Sequence, residues 1–364
     1  MTAEDAVAAL DVLYLMTIPG LGSFRIRNLI KRFKTVQAVL AASVRELVEI
    51  EGIDKTLAMQ IKRGGDQNFV EKQAEKIRSA GALLISYWDP HYPQLLRRIA
   101  DPPLLLFVKG KVETIGALSV AIVGTRSPSG YGKIMAEKFS SELAQRGITI
   151  VSGLARGIDT IVHAAVVRTG GKTVAVLGSG VDVIYPEENK RLTEQIVQNG
   201  ALISEFPMGT KPDAPHFPRR NRIVSGMCRG VLVIEAGEKS GALITADAAL
   251  EQGREVFALP GNINNPKSCG CNRLIQEGAK LVTSVEDILD EIGISSSQPT
   301  PSEPSIPLTS KEKSVVEVLT HEPIHIDKIA SLCRMPVGEV LGILLSLELK
   351  NLVRQTPGKH FLRQ

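Results

Sequence analysis

The chain of 364 residues is too long for one small domain, and its length suggests about two to three. Its 43 basic and 39 acidic side chains give a formal net charge of +4, so the overall charge alone does not indicate a nucleic-acid partner. Four cysteines and an acidic N-terminal stretch favour a cytoplasmic protein over a secreted one. No run approaches the roughly 20 apolar residues of a membrane span.

Residues 1–85 show a helical pattern that contains two similar units. Ile18–Gly22 is an apolar-x-Gly-apolar-Gly turn that leads into a helix, and Ile50–Asp54 repeats it with Asp54 in place of the second glycine. Such turns are typical of a helix-hairpin-helix or SAM-like domain, whose backbone N–H groups can meet a DNA phosphate. A structural packing module with a solvated basic face is the alternative. The cations after the first turn are Arg25, Arg27, Lys31, Arg32 and Lys34.

The rest of the chain divides into four segments. The prolines of 86–117 predict a connector. In 118–292, short apolar runs alternate with helical patterns, which predicts an α/β fold: a Rossmann-like, doubly wound and mainly parallel sheet with helices on both faces. Residues 293–307 are rich in Ser and Pro and predict a linker. Three helical patterns and a terminal hairpin in 308–364 predict a winged helix, which binds either duplex DNA or protein.

The first strand of the central domain ends in a glycine-bearing turn, Gly124-Thr125-Arg126. Ligands of doubly wound sheets bind beyond the carboxyl ends of the strands, where this turn lies. A dinucleotide fingerprint needs a second glycine at the position of Arg126, and a P-loop needs Gly-Lys followed by Ser or Thr. Neither pattern is present, so Arg126 at a helix start favours a phosphate clamp instead.

The second strand is followed by a similar turn, Ser152–Gly157, in which Arg156 repeats the cation. Asp159 is well placed to cap the following helix. His163, one turn further on, is more typical of a helix histidine with a hydrogen-bond partner than of a catalytic base. This turn therefore predicts a second contact to phosphate.

The segment 205–226 combines cations with two phenylalanines, Phe206 and Phe217. Cations follow a phosphate backbone and an aromatic ring offers a stacking face to a base, so this composition is typical of single-strand binding. The alternative is that Phe217 anchors a loop and the arginines are solvated. Ser240 and Gly241 open a further helix at an anion-compatible start. The cations are Lys211, Arg219, Arg220 and Arg222.

Common catalytic and metal-binding motifs are missing. No Gly-x-Ser-x-Gly or His-Glu-x-x-His run occurs, and Cys269-Gly270-Cys271 is too tight for a usual zinc site. Glu205 and Glu235 end predicted strands near the ligand edge, either for acid–base chemistry or to cap turns. Because no nucleophile–base pair accompanies them, we expect no catalytic residue, metal or cofactor.

The central domain closely resembles the bacterial DNA-processing protein A family (DprA, also called Smf). The matching runs cover the domain in order and include VGTRSPSGYG, VSGLARGIDTIVHAAV, HFPRRNRIVSG and EAGEKSGALITADAALEQGREVFALPGN. The flanking domains fit the three-part layout of that family more loosely. Asn264–Ser268 departs from the commoner pattern, in which more Ser and Gly are usual, and this affects only the expected geometry of that loop.

The resemblance implies a protein that binds single-stranded DNA without chemistry. Members of the family form homodimers, protect incoming DNA during natural transformation in competent cells, and help to load the RecA recombinase past single-strand-binding protein. From the motifs and the turns above, the residues expected to contact DNA are Gly124, Thr125, Arg126, Ser152, Gly153, Arg156, Gly157, Lys211, Phe217, Arg219, Arg220, Asn221, Arg222, Ser240 and Gly241.

Two other functions remain as alternatives. One is an enzyme on a similar sheet, a nucleotide phosphoribohydrolase of the lysine-decarboxylase-like group. That group relies on a Pro-Gly-Gly-x-Gly-Thr loop with an acid nearby, whereas the equivalent stretch here, Glu235–Gly241, reads EAGEKSG. The other is an adaptor whose two end domains hold protein partners while DNA binding is secondary.

Overall fold

A nine-stranded sheet lies in the first of the two compact units into which the chain divides, Met1–Ser295 and Ser296–Gln364. The computed structural model describes residues 8–294, 309–320, 324–350, 352–356 and 358–363, so the predicted linker lies outside them from residue 295 onward. The strands are β1 (Leu83–Ser86), β2 (Leu105–Gly110), β3 (Ser119–Val123), β4 (Thr149–Ser152), β5 (Thr173–Val176), β6 (Ala201–Ser204), β7 (Gly230–Val233), β8 (Glu255–Ala258) and β9 (Lys280–Leu281).

The sheet grows outward from β3 in two directions. Its spatial order is β1-β2-β6-β5-β4-β3-β7-β8-β9, and every neighbouring pair from β6 to β9 is parallel. All five residues of β3 are buried, as its continuous apolar run predicts. The predicted Rossmann-like, doubly wound sheet is therefore confirmed, with its topological switch point at β3.

Helices cover both faces of the sheet because successive strand residues point to opposite faces. Val120 and Ile122 share one apolar cluster with residues of the helices Gly130–Gln145, Ile158–Arg168 and Val285–Glu291. Ala121 and Val123 share another with residues of the helices His216–Gly226, Gly241–Glu251 and Cys269–Gln276. The helices of this unit are α1 (Ala9–Met16), α2 (Ser23–Phe33), α3 (Val36–Ala41), α4 (Val44–Val48), α5 (Lys55–Arg63), α6 (Gln67–Ser79), α7 (Gln94–Arg97), α8 (Gly130–Gln145), α9 (Ile158–Arg168), α10 (Lys190–Asn199), α11 (His216–Gly226), α12 (Gly241–Glu251), α13 (Cys269–Gln276) and α14 (Val285–Glu291).

Residues 86–117 do not form a separate connector, and this expectation is wrong. β2 pairs antiparallel with β6, and β1 pairs antiparallel with β2. The first four residues of β2 are buried, because its apolar run extends the sheet once the prolines before it have ended the helical pattern. Tyr92 is also buried, and its hydroxyl donates to the carbonyl oxygen of Pro103 at 2.7 Å.

The helices α1 to α6 pack around an apolar cluster that includes Ile26 and Ile61. Gly20 and Gly52 occupy equivalent places in the two predicted turns, and both have a φ of +80°, a conformation that favours glycine. Arg25 joins the turns, because its guanidinium donates to the carbonyl oxygen of Gly52 at 2.6 Å and to that of Gly20 at 2.8 Å. The first cation of the basic run therefore stabilises the hairpin pair.

The second unit has the predicted winged-helix architecture. Its three helices pack around a core that includes Val315, Ile329 and Leu344. Among the described residues no single helix is long and apolar enough to span a membrane, although Ile326–Cys333 and Val337–Glu348, bent by 105°, would meet the requirement jointly by length and composition alone. The elements are α15 (Ser310–Val318), β10 (Ile324–His325), α16 (Ile326–Cys333), α17 (Val337–Leu349), β11 (Val353–Thr356) and β12 (His360–Arg363), with the strands in the order β10-β12-β11.

Candidate nucleic-acid interface

A cleft of about 850 Å³ opens at the carboxyl ends of β3, β4 and β7, where ligands of doubly wound sheets bind. The exposed cations Arg126 and Lys239 line it together with the half-buried ring of Phe217. The exposed acids Asp213 and Glu238 line it too, and they equal these cations in number. Anion binding here therefore depends on where individual donors lie rather than on net charge.

The loop after β3 is held in shape by Glu235, which is only 1% exposed. Its carboxylate accepts from the backbone N–H of Ser129 at 2.8 Å and from the Ser129 hydroxyl at 2.6 Å. The backbone N–H of Thr125 donates to the carbonyl oxygen of Glu235 at 2.8 Å. These bonds engage Glu235 in positioning the loop that carries Arg126, which favours a structural role over acid–base chemistry.

The loop after β4 packs around two buried ionisable side chains, Asp159 and Arg220. The Asp159 carboxylate accepts from the backbone N–H of Gly153 at 3.1 Å and of Ala155 at 3.3 Å. Arg220 reaches this loop from α11 and donates to the carbonyl oxygens of Gly153 and Val176. The floor of the cleft therefore contains a guanidinium that is fixed by backbone acceptors.

Burial and charge act in opposite directions on this pair. Burial raises the pKa of Asp159, and the nearby Arg220 partly offsets this rise. The pKa of Arg220 is lowered to about 10, chiefly by burial; the nearby Asp159 opposes this decrease and the adjacent Arg126 adds to it. At neutral pH Arg220 therefore remains a cation beneath Arg126.

Two aromatic rings lie beside Arg126. The guanidinium carbon of Arg126 is 5.9 Å from the centroid of the Phe217 ring, and the rings of Phe217 and Tyr185 are 5.9 Å apart. Tyr185 is 48% exposed. A side chamber of about 70 Å³ adjoins these rings and is also lined by Arg156 and Gly178. The cleft thus combines a free guanidinium with stacking faces.

Arg156 lines the side chamber as a member of an ion pair. Its Nε and Nη2 donate to the two carboxylate oxygens of Glu188, both at 3.0 Å. These hydrogen bonds raise the pKa of Arg156. Both side chains are more than half exposed, so the pair is accessible to solvent and to competing anions.

Two predicted residues of α11 contact Glu205 and do not line the cleft. The Oε2 atom of Glu205 accepts from Arg222 at 2.5 Å and from Arg219 at 3.1 Å. Arg222 is only 17% exposed and also donates to the carbonyl oxygen of Asp101, so it packs α11 against the segment that follows α7. Arg219 is 58% exposed and keeps access to solvent. Glu205 is engaged as an ion-pair partner.

The structure brings together most, but not all, of the predicted DNA-contacting residues. Ser152 is buried and its hydroxyl donates to the carbonyl oxygen of Ile122 at 2.7 Å. Gly157 has a φ of +81°, and a Cβ there would collide with the backbone of the loop after β3. Those that line the cleft are Gly124, Thr125, Arg126, Gly153, Phe217, Arg220, Asn221, Ser240 and Gly241, and those that do not are Ser152, Arg156, Gly157, Lys211, Arg219 and Arg222.

Tyr185 and Lys239 line the cleft but are absent from the predicted set. Lys239 directly precedes the predicted helix start at Ser240, so its position was a usable signal. Tyr185 follows the glycine-bearing turn after β5, which is a weak pattern on its own. Only the fold shows that this turn approaches Phe217, because the two residues are distant in sequence.

His163 is fully buried in α9, and its Nδ1 atom lies 2.7 Å from the hydroxyl oxygen of Thr173. Burial lowers its pKa to about 3, so the ring is neutral at physiological pH. This agrees with the prediction of a helix histidine with a hydrogen-bond partner. Among the described residues, no group of three or more His, Cys, Asp or Glu side chains is arranged to hold a metal ion.

Protein-family models match three parts of the chain. The model for DNA recombination-mediator protein A matches residues 83–293, which is more than half of the chain. The model for a SAM-like helix-hairpin-helix tandem matches 12–64, and the model for the DprA winged helix domain matches 298–359.

Individual proteins agree with these matches. Protein Smf of Synechocystis sp. is 34% identical over 390 residues, covering 95% of this chain and 96% of the relative. The X-ray structure of DNA processing protein A from Streptococcus pneumoniae superposes with a TM-score of 0.69 at 39% identity, over 79% of this chain and 98% of that one. The structure of DNA processing protein A from Helicobacter pylori, described for its single-stranded DNA binding mode, superposes with a TM-score of 0.53 at 30% identity, over 58% of this chain and 95% of that one.

Proposed function

Because the chain belongs to the DNA recombination-mediator protein A family, we propose that its central cleft binds single-stranded DNA. The observation that carries this proposal is Arg126, which is exposed at the switch point with its guanidinium 5.9 Å from the Phe217 ring. This pair places a hydrogen-bond donor for a DNA phosphate next to an aromatic face on which a base can stack. The single-stranded DNA binding mode described for the Helicobacter pylori relative supports the same ligand.

Phosphates are held in this proposal by side chains and by backbone donors together. Arg126 and Lys239 provide exposed charge, and Arg220 adds a fixed positive charge from the floor. The N-terminus of α12 also opens into the cleft at Ser240 and Gly241, where backbone N–H groups and the helix dipole favour an anion.

Bases stack in this proposal on Phe217 and Tyr185. Stacking uses the face that every base has, so the sequence preference is expected to be slight. Bases inside a duplex are already stacked on each other, and they cannot reach these rings without unpairing. The cleft therefore favours single strands over duplexes.

The predicted contact set is revised on the same grounds. The cleft-lining residues remain proposed DNA contacts, and exposed Lys211 and Arg219 extend the path beyond the cleft. Arg222, Ser152 and Gly157 act instead by holding α11 and the two loops in place.

We further propose the wider role that the family resemblance implies. In it the protein is a cytoplasmic homodimer that protects incoming DNA in natural transformation and loads RecA recombinase onto DNA covered by single-strand-binding protein. A strand-exchange assay tests the loading step. Added protein should shorten the lag before RecA begins strand exchange on single-stranded DNA that is covered by single-strand-binding protein. An unchanged lag alongside intact DNA binding contradicts the loading role alone.

Fluorescence anisotropy of labelled single- and double-stranded oligonucleotides across a salt series tests the binding proposal. We expect clear preference for the single strand, little dependence on its sequence, and an affinity that falls steeply with salt because several phosphates are neutralised. Equal or stronger duplex binding would move the DNA site to the hairpin and winged-helix parts. Absence of binding to both would refute the proposal.

We propose binding rather than catalysis at this cleft. Glu205 and Glu235, the acids considered for acid–base chemistry, are engaged by arginines and by the loop after β3 respectively. Incubation with purine nucleoside monophosphates tests the enzymatic alternative. Free base released by the wild-type protein, and not by an Arg126→Ala variant, would revive the phosphoribohydrolase.

A further inference from the structure

The last helix of the helical N-terminal part, α6, contacts the loop that leads from β6 into α11. Gln73 of α6 is only 3% exposed, and its side-chain amide bonds to both backbone groups of Met208. Its Nε2 donates to the carbonyl oxygen of Met208 at 3.2 Å, and its Oε1 accepts from the Met208 N–H at 2.9 Å. Because both partners are buried, α6 fixes the backbone of this loop just before it reaches the cleft.

Lys76, about one turn after Gln73, lies across the same loop. A Cβ built on Gly209 would meet the Nζ atom of Lys76 at 3.0 Å, and Gly209 has a φ of +83°, which favours glycine. Asp182 also contacts Gly209 and accepts from its N–H at 2.9 Å. Lys76 is exposed, and among the described residues it makes no ion pair and no side-chain hydrogen bond. Its ammonium is therefore available to an anion that follows the loop.

The loop continues directly into the cleft. Pro212 lines the cleft, and the preceding Lys211 is exposed and, within the described ranges, has no carboxylate partner. Gly209 is three residues before Pro212, so it lies at most about 10 Å from the rim of the cleft. A single strand that leaves the cleft on this side therefore meets Lys211 first and Lys76 next.

We propose that α6 belongs to the path of the single strand, with Lys76 contacting a phosphate just outside the cleft and Gln73 acting as a positioning residue for the loop. This contact presupposes that the cleft binds single-stranded DNA, as proposed above. A phosphate is the expected ligand because each nucleotide that passes Lys211 carries one negative charge. The DNA site thereby extends onto the helical N-terminal part without using either hairpin turn.

Anisotropy titrations of the full-length chain with a labelled oligothymidine of about 16 nucleotides test this contact. Lys76→Ala should weaken binding about three- to fivefold, as for the loss of one exposed ionic contact. The slope of log Kd against log salt concentration should fall by about 0.7, the contribution of one phosphate on a single strand. Lys76→Arg should retain the affinity and the slope of the wild type.

Arg78→Ala is the matched control for Lys76→Ala. Arg78 is an exposed cation on the same helix, and its position two residues after Lys76 places it on another face. This variant should change neither the affinity nor the salt dependence.

Gln73→Leu tests the positioning role, because it removes both hydrogen bonds to Met208. Without a fixed loop, adding Lys76→Ala should weaken binding by less than about twofold, whereas the same change in the wild type removes a full ionic contact. Urea unfolding of Gln73→Leu checks that the chain is folded. The comparison of Lys76→Ala with Arg78→Ala tests the phosphate contact without this variant.

Failure of the Lys76 contact is distinguishable from failure of the cleft. If Lys76→Ala leaves binding and its salt slope unchanged, or if Arg78→Ala has the same effect, the proposal is overturned while the cleft remains a DNA site. If the wild-type chain does not bind the oligonucleotide, the proposed function fails and the Lys76 contact fails with it. An undiminished effect of Lys76→Ala in the Gln73→Leu chain would contradict the positioning role.

Discussion

The two arginine-bearing loops at the centre of the sheet are similar in sequence but differ in what their cations contact. Arg126, after β3, is exposed and lies over the Phe217 ring in the cleft. Arg156, after β4, has two of its donors occupied by the carboxylate of Glu188. Similar glycine-bearing turns thus give one cation that faces a ligand and one that is already paired.

The difference arises from parts of the chain that neither loop contains. Glu188 lies 32 residues after Arg156 and reaches it only because the segment after β5 lies alongside. Phe217 comes to Arg126 from α11, in the same way. A local motif therefore predicts which residue type a loop presents, whereas the fold decides whether that residue is available to a ligand.

The largest expected effect is on Arg220, the residue beneath both loops. Arg220→Met removes the donors to the carbonyl oxygens of Gly153 and Val176 and leaves Asp159 without its cationic neighbour. We expect the free energy of unfolding to fall by about 3–5 kcal/mol, as when one member of a buried ionic group is removed. Urea unfolding followed by fluorescence measures it, since the single tryptophan, Trp88, lies in this unit.

Arg168→Met is the matched control for Arg220→Met. Arg168 is 64% exposed and pairs with Glu137 at 3.3 Å on the surface. Such exposed pairs contribute about 0–1 kcal/mol. Equal losses for the two variants would show that Arg220 does not organise the floor of the cleft.

Much of the central domain could be predicted because its signals are local. The continuous apolar run of β3 and the pattern of α9 reflect burial that any chain segment of this kind must satisfy. α11 is harder to see, since prolines at positions 215 and 218 obscure a helix whose N-cap and first turn tolerate them. The strand β2 is also hard to predict, because Pro102 and Pro103 lie just before it.

The residues of the candidate site also differ in whether local sequence signals could predict their roles. Arg126, Phe217 and Ser240 could be placed in one cleft because parallel strands end at a common edge. The burial of Arg220 and the pairing of Arg222 could not, because both depend on partners distant in sequence. Composition alone therefore made four neighbouring cations look equivalent, although the fold gives them different roles.

His163, in the helix after the second loop, is buried and neutral in the folded protein, and this makes the stability depend on pH. Its folded pKa of about 3 lies below its ordinary value of 6.5, so the unfolded chain binds more protons between these values. Its contribution to stability is complete above pH 6.5 and is lost as the pH falls. From pH 7 to pH 5 we expect the wild type to lose about 2 kcal/mol more than His163→Gln.

Trp88 fluorescence during urea unfolding at the two pH values measures this difference. Asp159 acts in the opposite sense, because a raised folded pKa makes acid favour the folded state. Asp159 is present in both proteins, so the comparison isolates the histidine. Parallel losses in the wild type and the variant would contradict a neutral, buried His163.

Removing each loop arginine tests the comparison in binding. Arg126→Ala should weaken single-strand binding about 10- to 100-fold, since a hydrogen bond to a charged group contributes about 1.5–3 kcal/mol. It should also flatten the salt dependence, because one fewer phosphate is neutralised. Arg156→Ala, the matched control in the other loop, should change the affinity by less than about threefold because Glu188 already neutralises that cation. Equal effects in anisotropy titrations would remove the distinction between the loops.

The smallest expected effect comes from releasing the paired cation. Glu188→Gln frees Arg156 beside the side chamber, and we expect single-strand binding to tighten by about two- to threefold, because an exposed pair is worth less than about 1 kcal/mol. The salt dependence should steepen as one more phosphate is neutralised. The double variant Glu188→Gln with Arg156→Ala decides the cause: if the gain persists there, it reflects the loss of a negative charge near the DNA, whereas its disappearance assigns the gain to the released guanidinium of Arg156.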